Sequence, residues 1–155
     1  MIGEWEITFA IYDTYKPGEP PVYTETGTQT CEYGLDLNGT SMFIICTGTV
    51  VSTKGRTRSF QESIRYSRFS ESYERTGIFS NWPATSKEFL TYDPETRKIG
   101  INGELGVTKG RLERYRDVYS FNHDFTTYTR HNVANFSDMP AHEYNVTLTG
   151  TGKKK

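Results

Sequence analysis

The stretch Gly3-Glu4-Trp5-Glu6-Ile7-Thr8-Phe9-Ala10-Ile11 places Trp5, Ile7, Phe9 and Ile11 at alternate positions, against Glu4, Glu6 and Thr8. An extended chain turns successive side chains to opposite faces, so this spacing predicts a half-buried strand. Lys16-Pro17-Gly18-Glu19-Pro20-Pro21 ends it, because proline cannot donate to a ladder. Working outward, similar runs predict strands over 22–33, 42–51, 56–69, 88–92, 97–103, 110–121, 125–132 and 142–150. Residues 70–86 read as irregular, with one helical turn near Glu71–Arg75 and a break at Asn81-Trp82-Pro83. Asp93-Pro94-Glu95-Thr96 reads as a turn with proline preset at its second position. Turn signals separate about nine strands with no linker between them, which predicts one all-β domain over 1–155. The expected architecture is an antiparallel barrel of about eight to ten strands with little helix.

Two turns set the expected registers. Asn38-Gly39 is a strong two-residue hairpin signal that places Leu37 opposite Thr40 and Cys31 opposite Cys46. Lys54-Gly55, read the same way, places Thr53 opposite Arg56. Phe43, Ile45, Thr47, Thr49 and Val51 then share a face with Tyr66, Ile64, Glu62, Phe60 and Arg58, and with Glu32, Thr30 and Thr28 on the neighbouring strand. The opposite face, with Ser59, Gln61, Ser63, Arg65 and Ser67, is more polar, so the first face is expected to point inward. Unpaired carboxylates are costly to bury, so Glu32, Glu62 and Arg58 among these aromatics suggest a lined, partly wet cavity. Glu32, Phe43, Arg58, Phe60 and Tyr66 are the ligand-binding candidates, and Glu62 is a candidate acid or base. The plainer alternative is a Glu62–Arg58 ion pair plugging one barrel end. Counted out from the turn, Cys31 and Cys46 fall in a wide, hydrogen-bonded pair. Two free thiols in a reducing compartment are therefore expected, with a bridge only in a secreted protein.

Asn122-His123-Asp124 reads as a three-residue loop, which puts Tyr115, Asp117 and His131 on one face. Such a trio can orient an imidazole and move protons near neutral pH. A hydrogen-bonded core histidine, or an exposed one, is the plainer alternative. Net charge is −1, with one base against seven acids in residues 1–50. Arg111, Arg114, Tyr115 and Arg116 are interrupted by Glu113 and Asp117, so no nucleic-acid partner is expected. No run of apolar residues is long enough for a spanning helix, and no membrane partner is expected. His123, His131 and His142 lack metal-ligand spacing, and no glycine-rich phosphate loop occurs, so neither metal nor cofactor is expected. No leader pattern precedes Gly3, and a cytoplasmic location is expected unless a signal peptide was removed.

Gly3-Glu4-Trp5 resembles the G-x-W opening of the lipocalin and calycin barrels. That resemblance implies a Trp closing one barrel end beneath a late-strand Arg, for which Arg130 is the nearest candidate. Leu90-Thr91-Tyr92-Asp93-Pro94, the mid-chain hairpin and Thr147-Leu148-Thr149-Gly150-Thr151-Gly152 extend it. With these segments the chain resembles the bacterial lipocalin-like family of unknown function DUF1579. The second lipocalin signature, Thr-Asp-Tyr, is absent. The resemblance implies a barrel with an internal small-molecule site. Two functions follow: binding of a small, partly apolar ligand, or cofactor-free isomerase, cyclase or lyase chemistry on a substrate in the same pocket. The second would use Glu62 and His131, with Tyr115 and Asp117 orienting. A homodimer that covers strand edges is a third expectation.

Overall fold

The computed structural model describes residues 1–35, 42–67, 69, 71–80, 86–108 and 111–155. It contains ten strands: β1 (Gly3–Ile11), β2 (Tyr23–Leu35), β3 (Met42–Ser52), β4 (Thr57–Ser67), β5 (Ser72–Phe79), β6 (Ser86–Asp93), β7 (Lys98–Thr108), β8 (Arg111–Phe121), β9 (Thr127–Phe136) and β10 (Asn145–Lys154). Each pairs antiparallel with its sequence neighbours, and β1 also pairs with β10, so the meander closes into a barrel. No helix occurs among the described residues. Closure leaves no open sheet edge, which removes the edge-covering reason for a homodimer. The Asn38-Gly39 turn and the Asn81-Trp82-Pro83 break lie outside the described residues.

Three expectations are corrected here. In place of the helical turn expected near Glu71–Arg75, Glu71 is a turn residue and 72–75 begin β5, whose inward positions include a buried Arg75. A charged residue at an inward position hid the alternation. The β2–β3 register is the expected one, with Cys31 opposite Cys46. The β3–β4 register is shifted by one, so that Val51 faces Thr57 and Cys46 faces Glu62. The cause is a three-residue hairpin: Ser52 N donates to Arg56 O at 2.9 Å, Gly55 N to Ser52 O at 2.8 Å, and Gly55 takes a left-handed φ of 73°. One extra loop residue reverses every facing side chain. Cys46 and Val50 therefore point inward with Phe60 and Glu62, while Thr47, Thr49 and Val51 are exposed. Thirdly, Cys31 and Cys46 are buried and joined by a disulfide rather than free. Their Cα atoms lie 4.1 Å apart, the spacing of a close, non-hydrogen-bonded pair and not of the wide pair expected.

Inward positions of β1, β3, β4, β6, β7, β8 and β9 build one core of Trp5, Ile7, Phe9, Val50, Phe60, Leu90, Ile101, Tyr119, Phe121 and Tyr128. Trp5 sits near one barrel end, where its Nε1 donates to Met1 O at 2.7 Å. Its ring meets Phe121 edge-on at 6.4 Å and Tyr128 at 5.3 Å. Arg130, the residue expected above Trp5, lies over Phe9 and Tyr119.

Several core rings lie flat across a glycine on the adjoining strand. Phe60 covers Gly48, Tyr115 covers Gly103, Phe9 covers Gly150 and Tyr128 covers Gly152, each directly opposite its partner. A Cβ at Gly48 would lie 2.2 Å from the Phe60 ring, and one at Gly103 would lie 2.2 Å from Tyr115 Oη. Close approach of ring to backbone, rather than unusual dihedrals, is what requires glycine here. Gly48→Ala is expected to destabilise the fold by about 1–3 kcal/mol through overpacking. Gly106→Ala, at a site with nothing within 4 Å, is the control and should cost far less; urea unfolding of both variants checks this.

Candidate functional site

Charged side chains stand at inward positions where aliphatic ones would make a dry core. Arg75 on β5 pairs with Glu62 on β4, and its Nη1 lies 3.2 Å from Glu88 Oε2 on β6. All three side chains are only 3% exposed, so each depends on the others for compensation. Tyr115 on β8 reaches across β7, over Gly103, and donates its hydroxyl to Glu88 Oε1. Arg130 on β9 grips Asp117 on β8, with Nε 2.9 Å from Oδ2 and 3.1 Å from Oδ1. Arg58 on β4 reaches over β3 to Glu25 on β2, with Nε 3.2 Å from Oε1 and a second contact between Nη2 and Oε2. The guanidiniums of Arg58 and Arg130 lie 5.8 and 5.5 Å from the centre of the Phe9 ring. That packing adds cation–π attraction in a desolvated setting.

Burial alone would lower the Arg75 pKa, but Glu62, Tyr119 and Glu88 more than reverse this, and the guanidinium is held charged. Arg130 is treated the same way, with Asp117 as the main opposing charge.

This network bounds a chamber of about 310 Å³ at the barrel end where β1 finishes and β2 begins. Ile11, Tyr23, Phe79 and Leu148 supply apolar wall; Arg58, Arg75, Glu88, Tyr115, Asp117 and Arg130 supply polar wall. Two loops at this end are tied together. Tyr15 stacks on Phe136 at 5.6 Å and donates to Asp138 Oδ1 at 2.9 Å, while Asn145 Nδ2 donates to Thr14 O at 3.0 Å. Deeper in the barrel, Phe9, Phe60, Glu62 and Tyr119 leave a void of about 10 Å³, room for one water at most. A second cavity, of about 250 Å³, lies at the opposite end against Met1, Ile44, Ile64, Leu90, Ile99 and Phe121. Its lining is mainly apolar, with Tyr73, Thr91 and Tyr92 as its polar members and no charged side chain.

Of the residues expected to form a site, Arg58, Tyr115 and Asp117 line the chamber, and Phe60 and Glu62 stand directly behind it. The other four are elsewhere. Glu32 is exposed opposite Ile45 on the outer face, a consequence of the shifted β3–β4 register. Phe43 lies over Gly34 on the same outer face. Tyr66 is 51% exposed at the strand end, edge-on to Tyr73. His131 is exposed opposite Val118, because the β8–β9 connection is longer than three residues and aligns Phe121 with Tyr128. The proton-transfer trio of Tyr115, Asp117 and His131 is therefore not assembled. The Glu62–Arg58 plug is corrected too: Glu62 pairs with Arg75, and Arg58 with Glu25.

Sequence reasoning missed Glu25, Arg75 and Glu88 in the network. Each sits at the parity of its strand's inward residues, as in Glu88-x-Leu90, but a charge in a strand reads as outward. Among the described residues, no group of three His, Cys, Asp or Glu is placed to hold a metal ion.

Fold and site together define a lipocalin-like antiparallel barrel with an ion-paired interior and a chamber at one mouth. No protein-family model and no curated protein matches the chain, so the likeness to DUF1579 rests on the residues quoted above. Among solved structures, the chain is similar to EF1p2_mFAP2b bound to DFHBI, at 12% identity and a TM-score of 0.35. The match covers 99% of this chain and 93% of that one. DFHBI belongs to that protein; the site described here rests on this chain's own side chains.

The buried tyrosines give the site a pH signature. Burial raises Tyr128 to about 12, with Arg130 opposing and Glu62 and Asp117 adding. Tyr119 is raised further by the same burial, and Tyr115 by burial and then by the charge of Glu88 beside it. In the unfolded chain a tyrosine ionises near about 10. The folded state thus holds its tyrosine protons where the unfolded state releases them. Stability is full below about pH 10 and falls as pH rises through about 12. Urea unfolding at increasing alkaline pH, alongside tyrosinate absorbance, should show this decline before the buried rings ionise.

Proposed function

We propose that the protein binds a small molecule with an apolar body in the chamber at the β1–β2 end of the barrel. The observation that carries this reading is the two-sided wall of that chamber: Ile11, Tyr23, Phe79 and Leu148 facing a polar surface whose arginines are clamped by carboxylates. Binding sites are commonly of about 300–1,000 Å³, mostly apolar, with a few fixed polar groups that orient the ligand. The chamber has that size and the same two kinds of wall, with more charged and polar residues than such sites usually carry. Clamped arginines also lose no side-chain freedom when a ligand arrives, which lowers the entropic cost of binding. The Cys31–Cys46 bridge favours an oxidising compartment over the cytoplasm.

The neutral dye prodan serves as a probe. It should bind one-to-one with a blue shift in emission, and methyl signals of Ile11 and Leu148 should move. Leu148→Trp places an indole in the chamber and should weaken binding at least about tenfold, with circular dichroism unchanged. Equal binding by both proteins, or movement confined to Ile44 and Ile99 at the other barrel end, would contradict the proposal.

A further inference from the structure

Three buried polar atoms in residues that line the chamber make no hydrogen bond: Arg75 Nη1, Arg75 Nε and Glu88 Oε2. Arg75 Nη1 and Glu88 Oε2 attract each other at 3.2 Å, but they are not aligned as donor and acceptor. Buried groups left in this condition are costly, and a ligand that completes them is favoured. Tyr115 commits its proton to Glu88 Oε1, which leaves Oε2 as the carboxylate oxygen available to another donor.

Charge narrows the choice. Among the described residues of the wall, Arg58 is paired with Glu25, Arg130 with Asp117 and Arg75 with Glu88. Glu62 stands behind Arg75 as a second carboxylate on that one guanidinium, which leaves this paired set with one negative charge in excess. Each arginine is already engaged by a carboxylate. A carboxylate or phosphate head could accept from the Arg75 nitrogens, but it would bring a third negative charge to a guanidinium already faced by Glu62 and Glu88. An ammonium head suits Glu88, but it only donates. It would leave both Arg75 nitrogens unmatched and be repelled by the guanidinium. A hydroxyl or a carboxamide does both tasks, accepting from Arg75 and donating to Glu88, and adds no charge.

We infer that the chamber selects a neutral molecule with a hydroxyl or carboxamide head, seated against the Arg75–Glu88 pair with its apolar body against Ile11, Phe79 and Leu148. This inference rests on the binding role proposed above. Glu88 is then the residue that determines specificity, through both its charge and the oxygen that lacks a hydrogen bond.

The test is a matched panel on the full chain: hydrocinnamyl alcohol, hydrocinnamamide, hydrocinnamate and the corresponding amine, with decanol, decanamide, decanoate and decylamine. Affinities are read from methyl shifts of Ile11 and Leu148. The alcohols and amides should bind at least about tenfold tighter than the acid or amine on the same body. Glu88→Gln should narrow the gap between alcohol and acid, because it removes part of the negative surplus. Should that variant not fold, the ranking on the wild-type protein decides alone. Acids or amines that bind as tightly as the alcohols would overturn the inference and leave the binding role standing. If no member of the panel moves Ile11 or Leu148, the inference falls, and prodan binding decides whether the binding role stands.

Discussion

Arg75 is a guanidinium almost without solvent, and it is shared between Glu62 and Glu88. Taking such ions out of water costs several kcal/mol each, on the order of what a whole domain has to spare. The arrangement persists because four strands hold it: Arg75 on β5, Glu62 on β4, Glu88 on β6, and Tyr115 arriving from β8. Once those charges are fixed, that part of the interior cannot close on itself as a dry core. Apolar packing concentrates around Trp5, Phe121 and Tyr128 at the other end. The space left beside the ions is the chamber.

The glycine–aromatic pairs connect this chemistry to the fold. Without a side chain at Gly103, Tyr115 can lie against β7 and reach Glu88; a methyl group there would occupy the position of its hydroxyl. Gly48 does the same for Phe60, which packs under the Arg58 guanidinium at 5.6 Å. The strand pairing, the ring positions and the ion pairs are therefore one set of constraints. The Cys31–Cys46 bridge fastens β2 to β3 beside Glu62, which faces Cys46 across the next ladder.

The barrel was legible in the sequence because alternation is local: Trp5, Ile7 and Phe9 are each 1–2% exposed, as their spacing requires. The β2–β3 register was legible for the same reason. What was not legible depended on loop length by one or a few residues. A left-handed Gly55 made the β3–β4 turn three residues long, which sent Phe43 and Glu32 to the outer face and brought Cys46 inward. A longer β8–β9 connection sent His131 outward. The ionic network was half legible. Glu62, Tyr115 and Asp117 were visible as candidates, but Arg75 and Glu88 were not, because no local pattern distinguishes a compensated buried charge from a solvated one. Compensation is a property of neighbours across strands, and residues 72–79 carry no clean alternation that marks β5 as a strand.

The central claim is that the interior charges are a mutually compensated set centred on Arg75. Its most direct test compares the urea stability of Arg75→Met with that of the triple variant Arg75→Met, Glu62→Gln, Glu88→Gln. Removing Arg75 alone strands two buried carboxylates and is predicted to cost about 3–5 kcal/mol, while the triple variant recovers most of that loss. A single variant that costs less than about 1 kcal/mol, as an exposed ion pair would, contradicts the account.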